Sequence, residues 1–198
     1  MSSSNSPSKS ALLIVDMSVE QVENITYLKN QLISTINDLV VSDFFDLIID
    51  THLWIGVDDA SSLRDLYPDE GQRDTEGACL IPELRLVLND KTGAEKPTKC
   101  IFVSKFNYSS FAQPSCLDDI LRSNGITHVY ITGINTDYCV FATALDAFYA
   151  RYAVFVVEDA VSSILGSSGH KQGLQLINKF ACATVVSSKD ILGENRCS

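Results

Sequence analysis

Short, nearly unbroken apolar runs separated by longer segments of helical period recur along this chain, and no other feature constrains its fold as strongly. A strand buried on both faces shows no polar alternation, and such strands belong to parallel sheets whose crossovers are helices. Six β-branched or aromatic runs qualify: 11–15, 45–49, 100–104, 129–131, 153–157 and 183–186. Helical segments fill the gaps at 27–41, 115–123, 137–151 and 169–180. In the first of these Leu28, Leu32, Ile36 and Leu39 form an apolar stripe, and Asn124-Gly125 closes the second as a C-cap does. The expected fold is α/β: three layers, a six-stranded mostly parallel sheet flanked by helices, with Rossmann-like topology. Residues 1–10 are expected to be a disordered tail and 11–198 a single domain, since 198 residues fill one large core. The stretch 51–99 breaks the rhythm, and loops with short helices are expected there.

Composition narrows the function. The chain carries 25 Asp and Glu against 15 Lys and Arg, a formal charge of −10. Binding nucleic acid needs clustered cations, and these are few and scattered, so the expected partner is a small-molecule substrate and not nucleic acid. No apolar run approaches the roughly 18 residues that span a bilayer, so no membrane partner is expected either. The opening MSSSNSPSKS lacks the apolar centre of a signal peptide, which points to a cytoplasmic location and leaves leaderless export open. The six cysteines, at 79, 100, 116, 139, 182 and 197, form no C-x-x-C pair and read as independent reduced thiols.

In an open parallel sheet, ligands bind outside the carboxyl ends of the strands. Four chemically capable residues stand there: Asp16 after ALLIV, Asp50 after FDLII, Lys105 after IFVS, and Cys139 shortly after VYI, where TGINTDYCV turns into a helix. A buried cysteine is commonly a small hydrophobe, and an acid at a strand end commonly a solvated terminus. An acid, an amine and a thiol on one rim also make a nucleophilic site, with Asp16 as general base and acid, and Lys105 balancing charge. A helix terminus and an ammonium both favour thiolate, so Cys139 is expected to be activated. The backbone N–H groups of Asn135 and Cys139 are the natural donors to an oxyanion.

These segments resemble the isochorismatase-like cysteine hydrolases, a family that includes nicotinamidases, carbamoylsarcosine amidases and isochorismatases. ALLIVDM is similar to the segment bearing the family's catalytic Asp, SKFNYSSF to that bearing its Lys, and TGINTDYCVFATALDAFYARYAVFVVEDAVSS to its nucleophile segment. The resemblance implies Asp16, Lys105 and Cys139 as the triad, a cis peptide between Ile134 and Asn135, and a homo-oligomer. It further implies hydrolysis of a small amide through a Cys139 thioester. Hydrolysis of the vinyl ether of isochorismate is the alternative, although that branch often has Gly in place of the cysteine. A catalytically silent binding protein on the same fold is the third reading.

The resemblance bears on metal as well. Asp50-Thr51-His52 matches the Asp-x-His that nicotinamidases use to hold a divalent ion, while Glu70 in YPDEGQ stands where they carry a later His. The implied ligands are Asp50, His52 and Glu70, for Zn, Mn, Fe or Mg; a hydrogen-bonded Asp50–His52 pair and a solvated Glu70 are the alternative. Relatives read Asp-Met-Gln-x-x-Phe after the catalytic Asp, but here the chain reads DMSVEQV. The pocket wall given by that Phe must then come from elsewhere, with Trp54, Tyr67, Phe106 and Tyr108 as candidates. His128 and His170 look peripheral.

Overall fold

The computed structural model describes residues 8–59, 61–92, 98–180 and 182–194. Residues 1–7 of the expected tail, and Cys197, lie outside the described residues. Lys9 and Ser10, expected in the tail, instead open the first strand, because Ser10 N–H donates to the Asp46 carboxylate at 2.8 Å and Lys9 pairs with Ile126.

Six strands form one sheet: β1 (Lys9–Val15), β2 (Leu47–Leu53), β3 (Lys99–Lys105), β4 (Ile126–Ile134), β5 (Ala153–Ser162) and β6 (Thr184–Val186). Their order is β3-β2-β1-β4-β5-β6, and every pairing is parallel. The order reverses between β1 and β4, which makes the crevice above those two strands the topological switch point where such sheets bind ligands. β2 starts two residues later than expected because Phe45 lies in the irregular segment before it. It packs edge-on against Phe44 and Tyr130 instead of pairing in the ladder. The strand then runs on through Asp50-Thr51-His52 into the stretch expected to be loop.

Right-handed crossovers place helices before and after the reversal on opposite faces. On one face lie α2 (Lys29–Val41), α4 (Pro82–Thr92) and α8 (Ser188–Glu194), with α1 (Val19–Glu23) and α3 (Ser62–Leu66) as short turns at the rim. Leu32, Ile36, Leu39 and Val40 of α2 are buried against Leu12, Ile14 and Ile48, and each such side chain contributes about 1.5 to 3 kcal/mol. Leu28 is not part of that stripe. It takes a left-handed conformation (φ 53°) immediately before the helix and is 42% exposed. The other face carries α5 (Leu117–Ser123), α6 (Phe141–Tyr149) and α7 (Gly166–Phe180), packed over Leu13, Val15, Ile49, Val129 and Ile131. No helix among the described residues is long and apolar enough to cross a membrane.

Two close approaches fix the region above the switch point. Gly133 (φ 102°) lies against β1, and a Cβ there would sit 2.0 Å from the Val15 carbonyl oxygen. Gly173 of α7 lets that helix settle on the turn after β4, for a Cβ would come within 2.5 Å of the Thr136 carbonyl carbon. α7 starts three residues before the expected helix: GSSG reads as loop by propensity, yet Gly169 has no room for a side chain, since a Cβ there would sit 2.4 Å from Ser163 Oγ and 2.7 Å from Asp137 Oδ2. Gly133→Ala is expected to destabilise the protein by about 3 kcal/mol through strain at positive φ and displacement of β1. Urea unfolding monitored by circular dichroism measures it, and an unchanged midpoint would contradict this packing.

Candidate active site

Three strand ends and one turn converge at the switch point. β1 ends at Asp16, which turns out of the sheet with φ 52° while its N–H donates to the Thr51 carbonyl at 2.9 Å. Asp tolerates this left-handed conformation better than most residues. β3 ends at Lys105, two strands from β1 and hence about 10 Å away at ordinary strand spacing. Its four-carbon stem crosses that gap inside the protein, leaving the side chain 0% exposed and Nζ 2.8 Å from Asp16 Oδ2. The same ammonium donates to Cys139 Sγ at 3.5 Å. Asp16, Lys105 and Cys139 are thus brought together, as their segments suggested.

Cys139 sits not on a regular α-helix but on a five-residue π-helical turn, Thr136–Val140, that leads into α6. The peptide bond before the turn, Ile134–Asn135, is cis. Tyr138 and Val140 N–H groups both donate to the Asn135 carbonyl, at 3.0 and 3.1 Å. The Asn135 side chain accepts from Ile164 N–H at 2.7 Å, tying the turn to the segment after β5. Thr136 Oγ1 donates to the Ser162 carbonyl and lies 3.2 Å from His170 Nδ1. His170, expected to be peripheral, is therefore a buried support of this turn, and burial pushes its imidazole down despite the opposing charge of Asp137.

The protonation pattern departs from the expected thiolate. Burial pushes the Cys139 thiol far up, the Asp16 charge pushes it further, and Lys105 offsets only part of this. Burial alone would lower the Lys105 ammonium, but the charge of Asp16 and its hydrogen bond, with the Cys139 sulfur adding to them, outweigh it and raise the group. The resting arrangement is a buried Asp16–Lys105 ion pair beside a neutral thiol. Asp16 Oδ1 is buried without a hydrogen-bond partner among the described residues. One carboxylate oxygen is held and the other is open to accept a proton.

A cavity of about 190 Å³ opens above this group. Asp16, Asn135 and Cys139 form its floor, and Leu53, Leu63 and Ile164 its apolar walls. Tyr67 and Tyr108 line it as expected, joined by Tyr138, whose ring stacks on Tyr108 at 6.2 Å. Tyr67 and Tyr108 hydroxyls lie 3.4 Å apart; that contact, with burial, pushes the Tyr108 phenol up to about 12 and keeps it uncharged at neutral pH. Trp54 and Phe106 are not in the lining. Trp54 packs edge-on against Phe102 and His52, and Phe106 packs behind the wall on the cluster of Leu53, Ile55 and Leu63. Tyr138 and Gln21 were not anticipated. Tyr138 directly precedes the nucleophile candidate, and Gln21 lies five residues beyond Asp16, on the α1 turn, so proximity to the motifs was the available signal.

The implied metal ligands do not converge. His52 Nδ1 lies 2.9 Å from Asp50 Oδ1 in a buried pair, with the imidazole packed on Phe102. Glu70 turns instead toward the cavity and accepts from Gln21 Nε2 at 2.6 Å. Among the described residues no three His, Cys, Asp or Glu side chains group as a metal site. As arranged here, these residues do not fit a resident divalent ion.

Comparison with known proteins places this geometry. The model of the isochorismatase domain matches residues 10–190. Over 80 residues, 40% of this chain, it is 39% identical to the ureidoacrylate amidohydrolase RutB of Variovorax paradoxus; that match spans only 31% of the relative's length. Among solved structures it resembles nicotinamidase PncA of Bacillus subtilis (TM-score 0.75, 25% identity, 90% of this chain and 99% of that one). It also shares its fold with N-carbamoylsarcosine amidase of Thermoplasma acidophilum (TM-score 0.72, 24% identity, 91% and 96%). With a family match over nearly its whole length and the fold shared throughout, this chain belongs to the isochorismatase domain family.

Proposed function

We propose that this protein is a cysteine amidohydrolase that cleaves the C–N bond of a small amide or ureido compound through a thioester on Cys139. The observation that carries the proposal is the contact set at the cavity floor: Lys105 Nζ is 2.8 Å from Asp16 and 3.5 Å from a thiol that faces a small cavity. Similarity to an amidohydrolase and to amidase structures supports the same chemistry.

Attack begins when Asp16 takes the proton from Cys139 Sγ and the sulfur forms a bond to the substrate carbonyl carbon. The carbonyl oxygen becomes an oxyanion. The Tyr138 and Val140 N–H groups are committed to the Asn135 carbonyl, and the N–H groups of Asn135 and Cys139, the start of the turn and the nucleophile itself, are the proposed donors to the oxyanion. Collapse breaks the C–N bond, and Asp16 returns its proton to the departing nitrogen. Water then attacks the thioester, giving up a proton to Asp16, and the carboxylic or carbamic acid leaves. Sulfur recovers a proton. Lys105 stays charged throughout and stabilises the thiolate as it forms, a gain absent while the sulfur is still protonated. A neutral resting thiol suits this cycle, because the proton it carries is the one the leaving group needs.

Hydroxylamine intercepts thioesters, so incubation with a substrate amide is expected to yield the hydroxamate alongside ammonia, and Cys139→Ala to yield neither. Hydroxamate formation by the Cys139→Ala protein would place the acyl group elsewhere. Asp16→Asn is expected to lower turnover by about 10²- to 10⁴-fold. It also strands Lys105 as a buried unpaired charge, costing about 3 to 5 kcal/mol of stability. The double variant Asp16→Asn/Lys105→Met is expected to regain much of that stability in thermal unfolding while remaining inactive in ammonia release. Recovery of activity in the double variant would exclude Asp16 as the base.

A further inference from the structure

We infer that the cavity selects amides bearing a positive charge and rejects those bearing a carboxylate, with Glu70 as the specificity-determining residue. This rests on the amidohydrolase reading for its reaction but on separate observations for its selectivity. The charges at the floor cancel, since Asp16 and Lys105 are paired at 2.8 Å and the thiol is neutral. Glu70 is different. It lines the same cavity, its carboxylate accepts from the neutral amide of Gln21 at 2.6 Å, and among the described residues it forms no ion pair. The described lining contains no Lys, Arg or His, so a substrate carboxylate would meet no counter-charge and one carboxylate of like sign.

The aromatic part of the lining favours the same charge through independent chemistry. Tyr67, Tyr108 and Tyr138 line the cavity, with Tyr108 and Tyr138 stacked at an interplanar angle of 24°. Aromatic faces attract an ammonium through their quadrupole, and three phenols beside one carboxylate resemble the cages that hold such groups. A carboxylate gains nothing from those faces. Isochorismate, a dicarboxylate, is therefore poorly matched to this cavity, and the unsaturated acid that names the RutB relative is mismatched for the same reason.

The test uses three amides of one length that differ only in the far group: β-alaninamide (ammonium), butanamide (methyl) and succinamate (carboxylate). Binding is measured by calorimetry on the Cys139→Ala protein at low salt, and ammonia release on the wild type. β-Alaninamide is expected to bind about tenfold tighter than butanamide, and succinamate about tenfold weaker. Glu70→Gln, which can keep the bond to Gln21, is expected to bring the three within about threefold, as is high salt. Gln21→Lys sets an ammonium beside Glu70 and is expected to erase the preference by a second route. Tightest binding of succinamate, binding of none of the three, or an order that survives Glu70→Gln would overturn the inference. If the order holds but the wild type releases ammonia from none of them, charge selection stands and the hydrolase reading falls. If succinamate is hydrolysed fastest, the reverse is true.

Discussion

A lysine ammonium with no solvent exposure is the constraint around which this protein is organised. Removing such a charge from water costs several kcal/mol, and the cost is tolerated only where a counter-charge and good hydrogen-bond geometry meet it. Asp16 supplies both at 2.8 Å, and the Cys139 sulfur lies on the other side at 3.5 Å. Each partner requires its element to end at a particular place. β1 must stop at Val15 so that Asp16 can turn out of the sheet. β3 must carry Lys105 at its last position, and β4 must pass into a turn that returns Cys139 over the sheet.

The sheet order makes this convergence achievable. Because β1 and β4 are neighbours at the reversal, their carboxyl ends open a crevice that no crossover helix covers. The Asp16 end of β1 and the nucleophile turn of β4 face each other there, and Lys105 reaches in from two strands away. Support comes from below and behind: Gly133 lets β4 lie tight on Val15, Gly173 lets α7 press on Thr136, and the buried His170 sits beside Thr136 as well. The nucleophile turn is thus held on three sides before any substrate arrives, which is the preorganisation that positioning a reacting carbonyl requires.

Strand cores and the residues at their ends were readable from the sequence because both follow from local pattern. Unbroken runs such as ALLIV and IFVS read as strands, ALLIV buried in the sheet centre and IFVS on the sheet edge with Phe102 44% exposed, and the polar residue that ends each one marks the functional rim. What escaped depends on tertiary contact. GSSG reads as loop, and it is helix where Gly169 packs closely against Ser163 and Asp137. Phe45 has a strand residue's propensity but is spent on an aromatic cluster with Phe44 and Tyr130. Trp54, Tyr67, Phe106 and Tyr108 are equivalent as sequence; the folded chain sends two to the cavity and two to packing. The resting state of Cys139 was missed for a similar reason. A helix start and a lysine argue for thiolate, but burial beside a carboxylate argues more strongly the other way. Glu70 shows the same limit, since its place in a metal motif's frame says nothing of the Gln21 contact it makes at the cavity.

The central claim is that the resting site is a neutral thiol beside a buried Asp16–Lys105 ion pair, with the nucleophile generated only as Asp16 takes its proton. Thiolate absorbs in the near ultraviolet, so the difference spectrum between wild type and Cys139→Ala, titrated from about pH 6 to about pH 10, reads the state of this one sulfur. No thiolate step is expected through neutral pH, and any step should fall above that of an ordinary free cysteine. A thiolate signal already complete near neutrality would contradict the account, showing that Lys105 pairs with sulfur at rest and leaving Asp16 no proton to take.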